Sequence, residues 1–124
     1  MNLVLKKCLK CGALIKVIKD CNCPECGIKC CGEVMKELNT NTSDGAVEKH
    51  KPTHIVDGDN LIVTVNHVMD NDHYIEWIAL ITEEREEFRY LKPGDKPEVV
   101  FPKVKSGHIY SYCNKHGLWM EEIL

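Results

Sequence analysis

Hydrophobic and polar positions alternate in short runs over residues 39–124, and seven of these runs predict β-strands at 53–56, 61–66, 74–82, 87–91, 98–101, 108–113 and 118–122. The alternation is plainest in Ile75, Trp77, Ala79, Ile81 and in Ile109, Tyr110, Ser111, Tyr112. Turn formers separate the runs: Asp57-Gly-Asp-Asn60, Asp70-Asn-Asp72, Lys92-Pro-Gly-Asp95 and Ser106-Gly107. Seven short strands with turns between them predict an antiparallel sandwich. No stretch has a helical period, and nothing repeats.

Residues 1–38 differ in kind. They hold seven of the eight cysteines and seven lysines against four acids, whereas 39–124 hold nine basic and fifteen acidic residues. Between the two lies Asn39-Thr-Asn-Thr-Ser-Asp-Gly45, polar throughout, which reads as a linker. The expected organisation is therefore a Cys-rich domain at 1–38, a linker at 39–45 and a sandwich at 46–124. A chain of about 40 residues buries too little apolar surface to fold alone, so the first domain needs a metal or disulfide staple.

The whole chain has 124 residues, a net charge of −3 and no apolar run long enough to cross a bilayer. No basic field exists to hold nucleic acid or an anionic membrane, and neither partner is expected. With no signal-peptide core at the start, the expected location is the cytoplasm, where thiols stay reduced and clustered cysteines read as metal ligands.

Two constellations carry chemistry. In the first, Cys8-Leu-Lys-Cys11-Gly12 is a knuckle that turns two sulfurs toward one ion, and four such thiolates suit iron or zinc. Its partner pair is open. Cys23-Pro-Glu-Cys26-Gly27 is a second knuckle, which spacing favours, because neighbouring side chains such as Cys30 and Cys31 tend to diverge. The second constellation comprises Glu48-Lys49-His50-Lys51-Pro52, His67, His73 and Cys113-Asn-Lys-His116-Gly117. One strand through His67 and His73 would set them about 20 Å apart, so the turn at 70–72 must fold back to bring both to one sandwich rim. His54 and His108 lack such context and read as ordinary side chains. Trp77, Trp119 and the methionines read as core, and Lys103 and Lys105 as a solvated face.

These motifs resemble the superoxide reductases known as desulfoferrodoxins and neelaredoxins. Glu48-Lys49-His50-x-Pro52, His67 with His73, and Cys113-Asn114-x-His116-Gly117 match in order and spacing, and Cys8-x-x-Cys11-Gly with Cys30-Cys31-Gly-Glu33-x-Met35 resembles the desulforedoxin-like domain of two-iron members. The resemblance implies an all-β chain: a small metal-stapled, rubredoxin- or desulforedoxin-like domain followed by a seven-stranded immunoglobulin-like sandwich. It implies that His50, His67, His73 and His116 hold a catalytic ferrous ion in their plane with Cys113 axial. Superoxide would be reduced there by one electron to hydrogen peroxide. Lys49 would attract the anion and orient a proton source, and Glu48 would occupy the open position in the oxidised state. It further implies a second iron, or zinc, on Cys8, Cys11, Cys30 and Cys31, reversing the choice made from spacing and leaving Cys23 and Cys26 as the alternative. A rubredoxin-like electron donor and a homodimer are expected on the same ground. The segment Asp20-Cys21-Asn-Cys23-Pro-Glu-Cys26 departs from the family pattern. A different class of function, an electron carrier whose His4Cys site Glu48 closes, fits the same motifs.

Overall fold

The computed structural model describes residues 2–41 and 47–123, with the backbone alone for Glu48. The chain divides into two compact units, Asn2–Asn39 and Thr40–Leu124.

The first unit is built from very short strands. β1 (Leu5–Lys7) lies between β2 (Leu14–Lys16) and β5 (Lys36–Glu37), and β3 (Lys29–Cys30) pairs with β4 (Glu33–Val34) as a separate hairpin. Its buried apolar side chains are few: Leu3, Leu5, Cys8 and Met35. Lys6 is also buried, its ammonium held on Asp20 at 2.9 Å.

The second unit is the antiparallel sandwich. One sheet has the order β10-β7-β6 and the other β12-β11-β8-β9, from β6 (Thr53–Asp57), β7 (Asn60–Thr64), β8 (Ile75–Ile81), β9 (Glu86–Tyr90), β10 (Glu98–Pro102), β11 (Gly107–Cys113) and β12 (Gly117–Ile123). All seven expected strands are present. Leu61, Val63 and Phe101 from the first sheet and Ile78, Leu80, Ile109 and Ile123 from the second form one apolar core. One element was not foreseen: a single helical turn, α1 (Val47–His50), which is too short to show a helical period.

The alternation in β8 needs correcting. Core contacts come from Ile75, Ile78 and Leu80, so the parity switches within the strand. The cause is a β-bulge, since Tyr112 pairs with Trp77 but Cys113 pairs with Ile75. Glu76 is the extra residue, and the bend it introduces turns Ile75 to the inner side, opposite Cys113, which is already in phase with Ile109 on β11. Trp77 stays buried on the other face, stacked on Tyr112 with ring centroids 5.6 Å apart and edge-on to Phe88. Of the expected linker, residues 42–45 lie outside the described residues. Asn41 is held on the edge of β12, where its side-chain amide exchanges two hydrogen bonds with Met120. Among the described residues no helix is long and apolar enough to cross a membrane.

Candidate metal centres

Local backbone chemistry brings the first ligand set together. β11 ends at Cys113, fully buried, and the next three residues turn so that the His116 N–H points at the Cys113 sulfur, 3.4 Å away. Gly117, at φ +79°, takes the left-handed conformation that lets β12 start back along β11 at once. His50 ends α1, where the buried Ser111 hydroxyl donates to its carbonyl at 2.7 Å and its ring stacks on Trp119 at 5.0 Å. The Trp119 indole N–H donates in turn to the His116 carbonyl at 3.1 Å. His67 follows β7, and the chain folds back through 70–72, where Asp70 and His73 form an antiparallel bridge. The expected turn is present, but not as a hairpin of paired strands: β7 and β8 lie in different sheets, and the single bridge between Asp70 and His73 closes the turn.

The four imidazoles stand in a ring. Neighbouring centroids are 4.6 Å (His50 and His67), 4.7 Å (His67 and His73), 5.0 Å (His73 and His116) and 4.7 Å (His116 and His50), with the His50–His73 diagonal at 6.4 Å. That is a near-square, and each ring is steeply inclined to its neighbours. Cys113 Sγ lies 3.5 Å from His67 Nε2 and 3.9 Å from His116 Nδ1. One donor atom from each of the five side chains falls within 4.8 Å of all the others.

The donor atoms fit a bound cation. Four nitrogens each about 2.1 Å from one centre form a square with edges of about 3.0 Å, and His50 Nε2 lies 2.9 Å from His116 Nδ1. His73 Nε2 is buried without a hydrogen-bond partner, which an interior nitrogen tolerates poorly unless it binds a metal. The His67 Nδ1–H donates to the Val68 carbonyl, which leaves Nε2 as the free lone pair. Burial, together with the neighbouring imidazoles, holds the His67 pKa below its usual value and keeps the ring neutral, as a ligand must be. The donor set, four imidazoles and one thiol, suits iron.

The second ligand set is Cys8, Cys11, Cys30 and Cys31, again with all four sulfurs within 4.8 Å of one another. Cys11 Sγ is 3.7 Å from Cys30 Sγ, which is 3.9 Å from Cys31 Sγ. A tetrahedral ion bonded at about 2.3 Å separates its sulfurs by about 3.8 Å. The divergence expected of adjacent cysteines is overcome by the β3–β4 turn. Cys31 at φ +54° and Gly32 at φ +79° give both central residues positive φ, the pattern of a type I′ hairpin. A non-glycine residue held there costs roughly 1–2 kcal/mol, and the turn brings both sulfurs to one side. The Cys11 N–H lowers the Cys8 thiol to about 7, whereas its crowding by the Cys11, Cys8 and Cys31 sulfurs raises Cys30 to about 12. The four sulfurs are placed to hold one cation among them as thiolates. The paired-knuckle arrangement is not found: Cys26 is bonded to Cys21, and Cys23 is a free, exposed thiol.

Residues 42–122 match the family model described as Desulfoferrodoxin. The desulfoferrodoxin of Syntrophotalea carbinolica is 40% identical over 98% of this chain and 97% of its own length. The chain belongs to the desulfoferrodoxin family. A second desulfoferrodoxin, from Nitratidesulfovibrio vulgaris, is 39% identical over 94% of this chain and 93% of its own. Among solved structures, the superoxide reductase from Treponema pallidum superposes with a TM-score of 0.72 at 28% identity, covering 98% of this chain and 99% of that one.

Three side chains gain roles that sequence reading did not give them. Ser111 and Trp119 position His50 and His116, and Asn114 ties the His73 loop to the end of β11. The signal for Asn114 was its place directly after Cys113, inside the knuckle. His54 is paired with Glu121 at 2.6 Å and His108 packs on Tyr110, so both lie outside the ligand set. Lys49 is exposed on α1 one residue before His50, and the side chain of Glu48 lies outside the described residues.

Proposed function

We propose that this chain is a superoxide reductase, using the ligand square of His50, His67, His73 and His116 with Cys113 behind it. The observation that carries this reading is the asymmetry of burial. Cys113 is fully buried, whereas His67, His73 and His116 are each partly exposed. The thiol therefore backs the square from the protein side, and the opposite face is the one substrate can approach.

Iron held there supplies one electron to superoxide, which with two protons becomes hydrogen peroxide. The chain's own groups do the rest. Cys113, desolvated and receiving the His116 N–H, supplies electron density from the buried side. The imidazoles are held in place through Val68, Ser111 and Trp119. Lys49 puts a positive charge beside the square in a chain of net charge −3, which draws in an anion, and its ammonium orients a water as proton source. By resemblance to the family, Glu48 would occupy the open position in the oxidised state.

The Cys8, Cys11, Cys30 and Cys31 set is a second iron or zinc site that staples domain 1–38, joined by linker 39–45 to the catalytic domain 46–124. A rubredoxin-like protein serves as electron donor, and the cytoplasm is the working compartment. A homodimer is supported by the outer face of the β10-β7-β6 sheet, where Ile55, Ile62 and Val100 lie side by side in register and Ile55 and Val100 are exposed.

Pulse radiolysis of the reduced, iron-loaded protein tests the reading. Superoxide should disappear faster than in buffer and yield one peroxide per iron oxidised. Decay at the buffer rate with the iron left reduced would sink the reading in favour of an electron carrier.

A further inference from the structure

The loop between β2 and β3 holds three cysteines that neither ligand set uses. Cys21 and Cys26 are joined in a disulfide with Cα atoms 5.7 Å apart, an ordinary separation for such a bond. Between them Cys23 is a free thiol, and all three residues are exposed. A tight turn runs from Cys23 to Cys26, closed by the Cys26 N–H donating to the Cys23 carbonyl at 3.0 Å. The loop is anchored at its start: Asp20 Oδ1 accepts the Cys21 N–H at 2.8 Å and the Lys6 ammonium at 2.9 Å, and Lys6 belongs to β1. One disulfide and one free thiol are thus carried on a short, tethered loop, outside the Cys8, Cys11, Cys30 and Cys31 group.

We propose that Cys21 and Cys26 form a reversible thiol–disulfide site, oxidised by hydrogen peroxide and reset by an external dithiol. Peroxide as the physiological oxidant rests on the superoxide reductase reading; the chemistry of the loop does not. The Cys21 or Cys26 thiolate attacks one oxygen of the peroxide: an S–O bond forms, the O–O bond breaks, and the departing hydroxide takes a proton to leave as water. The second thiol then attacks the sulfenic sulfur, forming the S–S bond and releasing a second water. Two thiols lose two electrons and two protons in all, and one peroxide becomes two waters. An external dithiol returns both by exchange through a mixed disulfide and is itself oxidised. In a reducing compartment a lasting disulfide is uncommon, whereas a cycling one on an exposed loop is the usual redox-active kind.

Trypsin isolates the site, since cleavage after Lys19 and Lys29 gives a peptide 20–29 that contains Cys21, Cys23 and Cys26 and no other cysteine. The metal-loaded protein is reduced with dithiothreitol, freed of it, treated with reagent peroxide, denatured in alkylating agent and digested. Mass spectrometry should then find peptide 20–29 carrying one alkyl group and two hydrogen atoms lighter than the reduced peptide. Dithiothreitol should restore three alkyl groups, and the visible absorption of the metal centres should be retained. The double variant Cys21→Ser, Cys26→Ser should lose the two-hydrogen change while keeping its metal content. Three alkylated cysteines after peroxide, or oxidation that dithiothreitol does not reverse, would overturn the proposal. So would crosslinks from this peptide to Cys30 or Cys31, or a third equivalent of metal that shields Cys21 and Cys26 in the reduced protein. Because the peroxide is added, none of these outcomes depends on whether the chain reduces superoxide.

Discussion

The side-chain amide of Asn114 grips the backbone on both sides of His73: its Oδ1 accepts the Tyr74 N–H at 3.0 Å and its Nδ2 donates to the Asp72 carbonyl at 2.9 Å. One residue beyond the Cys113 thiol, it locks the loop that carries one ligand to the strand that carries another. Asn114→Ala should therefore weaken iron binding by about tenfold, the lower range for loss of a group supporting a metal ligand. Chelator competition reads this directly, and an unchanged affinity would show that the bridge at Asp70 and His73 suffices.

Trp119 is fully buried, stacks on His50 and bonds the His116 carbonyl. Trp119→Ala should cost about 3–5 kcal/mol in urea unfolding of the metal-free protein. Trp119→Phe keeps a stacking ring and loses chiefly the hydrogen bond, about 1 kcal/mol. A larger fall in iron affinity for the alanine variant should accompany the larger loss of stability.

The depressed pKa of His67 sets a direction with pH. Its folded value lies below the ordinary 6.5, so at acid pH the unfolded chain binds the proton more readily than the folded one. This contribution to stability is complete above about pH 6.5 and is lost as pH falls from there through the folded value. Iron release should begin in the same range, because a protonated imidazole cannot ligate. Parallel titrations of unfolding and of bound iron check this, and retention of both at low pH would contradict it.

Lys49→Ala should slow the reaction with superoxide by about tenfold at low ionic strength and flatten its dependence on salt, as expected when a steering charge is removed. Iron content should not change. Pulse radiolysis at several salt concentrations measures both quantities; an unchanged rate would leave Lys49 an ordinary surface residue.

The first unit buries only Leu3, Leu5, Cys8 and Met35 as apolar side chains. Stripping metal from Cys8, Cys11, Cys30 and Cys31 should unfold it, while the sandwich, with its own apolar core, remains folded. Amide hydrogen exchange after chelation should show loss of protection at β1 and β2 and none at β8 and β11.

Local pattern already contained the strand list and the ligand types. Alternation is a period of two residues, and turns announce themselves through Gly, Asp, Asn and Pro, so β6 to β12 could be placed without coordinates. The knuckles Cys8-x-x-Cys11 and Cys113-x-x-His116 are equally local, since donors three residues apart can turn toward one ion, although Cys23 and Cys26, at the same spacing, do not. Family resemblance, which is also read from sequence, selected Cys30 and Cys31 over Cys23 and Cys26.

Relations between distant residues were decided only by packing. Whether Cys31 could face the same ion as Cys30 depended on a positive φ at Cys31, and spacing alone argued against it. The inward face of β8 depended on the bulge at Glu76, a pairing offset between two strands that neither sequence displays alone. Asn114, Ser111 and Trp119 became positioning residues because the sandwich brings their partners, 61 residues away for Ser111 and His50, within hydrogen-bonding reach. A single side chain's chemistry is legible in one dimension, but its partners are set by how the two sheets close on one another, and that closure is a property of the whole core.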